Sequence, residues 1–256
     1  MALLEIRQLK RSFYGVRALD GVDLDVGEGT ITGLIGPNGA GKTTLFNVVS
    51  GVYPPEGGSV RFAGGDVTGW RADRVTQAGL VRTFQIARGF PRLSVLENLM
   101  LYGARQPGET LWRSFARTPD VRRREEELTE RAFAIARRLN LFRVVNNPAS
   151  DLSGGQKKLL EIGRALMTDP KLILLDEPIA GVNPTLANEI AGHLRALRDD
   201  GLAFLIIEHH MDVIARLCEP VIVMAEGRFL AEGSFSQIQS DGRVQDAYMG
   251  KRRWAS

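Results

Sequence analysis

The sequence predicts an α/β fold in three parts: a core of buried strands alternating with helices, an antiparallel β segment before it, and a helical lobe inserted into it. Three observations carry this. The runs TITGLI, KLILLDE and AFLIIEH are short, nearly continuous in apolar residues and of strand length, as strands buried on both faces should be. Residues 3–35 show strand periodicity broken by glycines, and from residue 90 to 150 the spacing becomes helical.

Taken in order, Val22, Leu24 and Val26 alternate with Asp23 and Asp25, the period of a strand with one wet face, while Gly15, Gly21, Gly27 and Gly29 mark turns. TITGLI then reads as a buried strand and TLFNVVSGV as a helix. Gly57–Gly58 and Gly64–Gly65 bracket another short strand, SVRFA. Ser94 and Glu97 form a capping-box pair ahead of LSVLENLM. The run RQPGETLWRSFARTPD, residues 105–120, reads as a loop or irregular insertion. Asp120 is placed to cap a long helix in which Leu128, Ala132, Ile135 and Leu139 share a face, and Arg123–Glu127 is an i,i+4 pair on its solvated side. After KLILLDE, residues 184–198 read as a helix opened by Pro184. AFLIIEH is a strand, and VIVMAEGRFLAEG is a hairpin turning at Glu226–Gly227. Residues 1–256 are expected to form one domain: 1–89 and 151–235 give the core with its β segment, 90–150 the helical lobe and 236–256 a tail.

Composition narrows the classes. With 256 residues, 44% of them hydrophobic, the chain can bury a full core. The formal net charge of +3 is too small to argue for nucleic acid, and no nucleic-acid partner is expected. The lone cysteine, Cys218, excludes an internal disulfide and fits a reducing compartment. Met1–Ala2–Leu3–Leu4 is followed at once by Glu5 and Arg7, unlike a signal peptide. No apolar run approaches the ~20 residues of a membrane span.

The motif GPNGAGKTT, residues 36–44, fits the P-loop pattern in full, with the strand before it and the helix after it that the motif requires. Gly36, Gly39 and Gly41 let the backbone turn tightly and aim its N–H groups at one point, and Asn38, Ala40 and Thr44 belong to the same cradle. The positive end of the following helix faces that point. Lys42 brings a mobile cation to the β- and γ-phosphates, and the Thr43 hydroxyl suits Mg²⁺. Two other strands end in useful chemistry: Asp176–Glu177 after LILL, and His209 after LIIE. In a parallel sheet, ligands collect at the carboxyl ends of strands, so these groups converge if the strands are neighbours. Asp176 then suits the Mg²⁺ shell, Glu177 the attacking water as general base, and His209 the γ-phosphate. His210 would point to the opposite face if the strand continued, and carries no assigned role. Gln85 has an amide able to touch Mg²⁺ or the water. A second strong motif, LSGGQ (Leu152–Gln156), opens the helix KKLLEIGRALM, so Ser153, Gly154, Gly155 and Gln156 make a second anion site. Both sites serve one nucleotide if the chain folds one onto the other, or if two chains pair head to tail.

GPNGAGKTT, Gln85, LSGGQ, ILLDE and the strand-end His209, in that order, resemble the ATP-binding subunit of ATP-binding-cassette transporters over essentially the whole chain. The resemblance implies an ABC-ATPase core of the P-loop NTPase class, with ATP and Mg²⁺ as cofactors. It also implies a head-to-tail homo- or heterodimer with a second ATP-binding subunit, in which Ser153 and Gly155 reach the other chain's γ-phosphate. Phe13 takes the place of the aromatic that stacks on adenine, with Tyr14 as the alternative. Partners implied are two transmembrane permeases and, indirectly, a periplasmic binding protein, with the chain peripheral on the cytoplasmic face of the bacterial inner membrane.

VRTFQ, FPRLSVLENLM, the lengthened segment 101–125, EPIAGVNP, IEHHMD and the tail AEGSFSQIQSDGRVQDAYMG look like importers of branched-chain amino acids, the larger of their two ATPases. Related systems for urea, amides, other amino acids or lipopolysaccharide export look similar. Two departures from the family pattern stand out: Asn183 where many members carry Asp, and Lys157–Lys158 where Arg is common. A soluble cassette acting on ribosomes or DNA is the competing class, but such proteins usually carry two cassettes or a long coiled coil. A nucleotide-gated interaction protein with negligible turnover is a third, against which Glu177 and His209 argue.

Overall fold

The protein is described from a computed structural model covering residues 2–83, 90–103 and 119–249. The described chain divides into two compact units, one of residues 1–82, 171–180 and 194–256, the other of residues 83–170 and 181–193.

The first unit contains two sheets. One is antiparallel, built from β1 (Ala2–Phe13), β2 (Val16–Gly27), β4 (Gly57–Phe62) and β5 (Gly65–Asp66) in the order β2-β1-β4-β5. The alternation read from Val22, Leu24 and Val26 is realised: all three are buried against the core. The other sheet has the order β10-β9-β3-β8-β7-β6, made of β3 (Ile31–Ile35), β6 (Leu80–Arg82), β7 (Leu172–Asp176), β8 (Ala203–Ile207), β9 (Val221–Ala225) and β10 (Arg228–Gly233). β6, β7, β8, β3 and β9 run parallel, and β10 closes the edge antiparallel to β9. Every residue of β3, β7 and β8 is buried, which explains their unbroken apolar sequences. Helix α1 (Lys42–Val49) contributes Leu45, Phe46, Val48 and Val49, and α2 (Ala72–Gln77) contributes Val75, to a core shared with the inward residues of both sheets. Glu226 (φ 51°) and Gly227 (φ 75°) make the predicted hairpin turn, both with the positive φ that a two-residue connection of this hand needs.

Register sets the level of the strand ends. Leu34 pairs with Ile207 across β3 and β8, and Ile207 pairs with Asp176 across β8 and β7. The ends of three strands therefore lie side by side.

The second unit is helical: α3 (Val95–Met100), α4 (Pro119–Arg138), α5 (Gly154–Met167) and the first turns of α6 (Pro184–Asp199). The expected face of α4 is buried at Leu128, Ala132, Ile135 and Leu139. A Cβ at Gly163 of α5 would meet Leu99 Cδ2 at 2.8 Å and Leu139 Cδ1 at 3.2 Å, so glycine is what lets these helices approach. The Ser94–Glu97 capping box forms as expected. Arg123 and Glu127 pair loosely at 3.9 Å in solvent. Two expectations change. α4 starts at Pro119, so Asp120 lies inside the first turn instead of capping it; proline is well suited to that first position. Of the segment read as an irregular insertion, Pro119 and Asp120 are helical, while residues 105–118 lie outside the described residues. So do Gln85 and the end of the tail, residues 250–256.

The unit also has a buried polar centre that no local pattern signals. Asn98, fully buried, donates from Nδ2 to the carbonyls of Phe90, Leu93 and Ser94 at 3.0–3.1 Å. Its Oδ1 accepts from the Phe90 N–H at 3.2 Å and from Arg164 Nη2 at 2.6 Å. Burial depresses the pKa of the Arg164 guanidinium, an effect that the nearby Tyr102 and Glu161 oppose. Asn98→Ala removes the side-chain acceptor of a buried cation and the side-chain donor of three carbonyls, each of which keeps a backbone N–H partner. It is expected to destabilise this unit by about 3 kcal/mol, measured as a lower denaturant midpoint; an unchanged midpoint would contradict the network.

Candidate functional site

The glycines of residues 36–41 are required for two different reasons. At Gly36 (φ 150°) and Gly41 (φ 96°) the limit is space: a Cβ would lie 2.1 Å from the Met224 carbonyl oxygen and 2.4 Å from that of Ala18. At Gly39 (φ 81°) nothing lies within 4 Å, and the limit is the left-handed backbone itself. The resulting loop delivers the chain to α1 at Gly41, and that helix start has no side-chain cap. Its first-turn N–H groups are left to a ligand, the arrangement in which helix N-termini bind anions. Lys42 is buried, and its ammonium donates to the carbonyls of Gly36 (2.6 Å) and Pro37 (3.1 Å). Burial lowers its pKa, and the charges of Asp176 and Glu177 oppose that shift. Tyr248, on α9 (Gly242–Met249), which follows α8 (Phe235–Ser240), reaches the same loop. Burial raises its phenol pKa, and a hydrogen bond from the Gly36 backbone opposes the shift.

Beside this loop the other two strand ends supply acids and an imidazole. Asp176 is buried, and its Oδ2 accepts from Arg82 Nη2 at 3.2 Å. Arg82 ends β6; it also donates to Asn47 Oδ1 on α1 and lies 5.6 Å from the Phe46 ring centre. Sequence reasoning passed over Arg82, because a charged residue after two apolar ones reads as the exit of a strand. Glu177 sits at φ 50°, unusual for a residue with a side chain, and its N–H donates to the Ile207 carbonyl at 2.9 Å. Its Oε1 lies 3.3 Å from His209 Nε2, both groups part-exposed. β8 stops at Ile207, so the condition that would set His209 and His210 on opposite faces of one strand is not met. His210 instead precedes α7 (Met211–Leu217), with Nδ1 3.3 Å from Glu208 Oε2.

Phe13 closes β1 half-buried, edge-on to Tyr53 with ring centres 5.3 Å apart, and the Arg11 guanidinium lies 5.0 Å from its ring. Tyr14, the alternative, is fully exposed on the hairpin turn at φ 49°. Gln85 lies outside the described residues.

The second unit holds the other motif. Ser153 Oγ accepts the Gln156 N–H (3.3 Å), and Gln156 Oε1 accepts the Ser153 N–H (3.0 Å). This is a second capping box, legible as Ser-x-x-Gln but missed in favour of the glycines. Gly154 has open space where a Cβ would be, whereas a Cβ on Gly155 would lie 2.0 Å from Leu186 Cδ2. Asn183, the departure from the usual Asp, accepts the Leu186 N–H at 2.9 Å through Oδ1 and caps α6. At that cap, Asn and Asp serve about equally well.

Oxygen donors suited to Mg²⁺ are the exposed Thr43 hydroxyl and the Asp176 carboxylate. Among the described residues no three His, Cys, Asp or Glu side chains cluster as a cage. That combination fits an ion that keeps several waters and binds mainly through one or two carboxylates and substrate phosphates.

The sequence profile of the ABC transporter family matches residues 19–180. The probable branched-chain amino acid transport ATP-binding protein LivG of Archaeoglobus fulgidus is 40% identical over 250 residues, covering 98% of this chain and 96% of the relative. A crystal structure of the ADP conformation of an ATP-binding cassette of an ABC transporter superposes with TM-score 0.85 at 39% identity, over 98% of this chain and 100% of the other. A dimeric, post-hydrolysis ATP-binding cassette bound to ADP and Pi superposes with TM-score 0.74 at 25% identity, over 91% of this chain and 98% of that one. A profile spanning most of the chain, and relatives matched from end to end, place it: this chain belongs to the ABC transporter family, as an ATPase that binds nucleotide.

Proposed function

We propose that the chain powers an importer of branched-chain amino acids from the cytoplasmic face of the inner membrane. The full-length similarity to LivG supports the substrate class. The observation that carries the mechanism is the alignment of Leu34, Ile207 and Asp176 across adjacent parallel strands. It sets a P-loop, a carboxylate pair and an imidazole along one sheet edge, where strand-end chemistry acts on a common ligand.

In this reading the loop 36–44 cradles the phosphates, through Gly36, Asn38, Gly39, Ala40, Gly41, Lys42, Thr43 and Thr44. Lys42 turns from its carbonyl partners to the β- and γ-oxygens. Thr43 and Asp176, with Gln85, would hold Mg²⁺, whose chemistry is to neutralise charge on the phosphates. Glu177 takes the proton from the attacking water, and His209, 3.3 Å away, orients that carboxylate and faces the γ-phosphate. Phe13 stacks on adenine. Ser153, Gly154, Gly155 and Gln156 of a second ATP-binding subunit complete the site across a head-to-tail dimer, which the dimeric relative bound to ADP and Pi supports. Closure over two nucleotides and release after hydrolysis then move the helical units against two permeases, which receive substrate from a periplasmic binding protein.

Glu177→Gln is expected to bind Mg-ATP and dimerise, while phosphate release falls about 10²- to 10⁴-fold; normal turnover would refute the base. Lys42→Ala removes a charge-assisted contact, and its ATP Kd is expected to rise about 10- to 100-fold in a fluorescent-nucleotide titration. Equal affinity would exclude the P-loop assignment. Recovery of the chain with membrane permeases is expected on detergent extraction; recovery with ribosomes would overturn the importer reading.

A further inference from the structure

One buried carboxylate bonds the backbone near the proposed base and at its imidazole partner, and has no part in the scheme above. Glu208 follows the last residue of β8 and precedes His209, and its side chain is 1% exposed. Oε1 accepts the N–H of Ile179 at 3.1 Å, and Oε2 accepts the N–H of His209 at 3.1 Å. His210 Nδ1 lies 3.3 Å from the same Oε2. Ile179 is two residues beyond Glu177, and the intervening Pro178 has no N–H to offer.

The carboxylate therefore closes a small frame. On one side the Glu177 N–H donates to the Ile207 carbonyl. On the other, Glu208 takes the Ile179 N–H, and the same carboxylate fixes the His209 backbone. Glu177 Oε1 and His209 Nε2 face each other across the opening at 3.3 Å. Glu177 stands at φ 50°, a backbone setting that a residue with a side chain keeps only where its surroundings over-determine it. The bonds on either side of it supply that determination. Cys218 registers the carboxylate as well: burial pushes its thiol up to about 12, and the charge of Glu208 adds to the shift.

We propose that Glu208 is a positioning residue for ATP hydrolysis, whose two oxygens lock the Glu177 and His209 segments together so that base and imidazole meet the attacking water in one geometry. The proposal rests on the reading of Glu177 as the base. A carboxylate that only stabilised the fold would, when altered, lower thermal stability, nucleotide affinity and turnover together. One that positions the base affects turnover alone.

Glu208→Gln keeps the shape and one acceptor oxygen but turns an NH₂ toward one of the two N–H groups. In the purified full-length chain, kcat for ATP hydrolysis is expected to fall about 10- to 100-fold, with KM and ATP Kd within about twofold of the parent. Added to Glu177→Gln, the substitution should lower the residual rate no further, because both act through one group. Glu208→Asp, which keeps the charge and retracts it by one methylene, should give the same split between kcat and KM. An unchanged kcat in both variants would overturn the proposal. So would a loss that adds in full to that of Glu177→Gln, or a melting temperature and affinity that fall with kcat. Normal turnover by Glu177→Gln alone strikes at the base assignment instead, and so separates the two failures.

Discussion

Leu34, Ile207 and Asp176 stand level on three hydrogen-bonded parallel strands, and the rest of the site follows from that registration. A slip of one residue on any of these strands would turn its side chains to the opposite face and move its terminal group along the edge. Because β3, β7 and β8 are buried throughout, their register is held by packing on both faces as well as by backbone hydrogen bonds. Asp176, Glu177 and His209 lie within two residues of those strand ends, and Gly36 to Thr44 form the loop that leaves one of them.

Backbone crowding sets the second level of precision. The P-loop passes so near the carbonyls of Met224 and Ala18 that Gly36 and Gly41 admit no side chain. The loop is thus braced from β9 and β2, not shaped by its own sequence alone. A braced loop holds its N–H groups in place before the anion arrives, which spares the reorganisation a floppy loop would undergo on binding.

Charge is handled differently in the two units. In the first, Arg82 spans Asp176 and Asn47, so one guanidinium links the end of β6, the end of β7 and helix α1. In the second, Asn98 gathers Arg164 and three carbonyls at the start of α3, tying Phe90, Leu93 and Ser94 to that helix. Both are buried polar arrangements in which each member depends on its partners, and such arrangements favour one conformation over nearby alternatives.

Much of this was legible in the chain. The apolar runs TITGLI, KLILLDE and AFLIIEH became β3, β7 and β8, because continuous hydrophobicity over five or six residues leaves a parallel strand few other places. Local chemistry was equally readable where it depends on near neighbours: the Ser94–Glu97 box, the Glu226–Gly227 turn, the buried stripe of α4. Where β8 ends was not readable, and His209 and His210 lie beyond the strand whose continuation would have set them on opposite faces. Nor was the bond from Ile179 to Glu208, which joins residues 29 apart in sequence, or that from Arg82 to Asp176, 94 apart. The sequence by itself determined the element types and the chemical groups at their ends, since periodicity and motif spacing act over a few residues. Only the tertiary structure decided which ends are neighbours and which buried charges brace them, because strand order and side-chain pairing are set by contacts that no local pattern encodes.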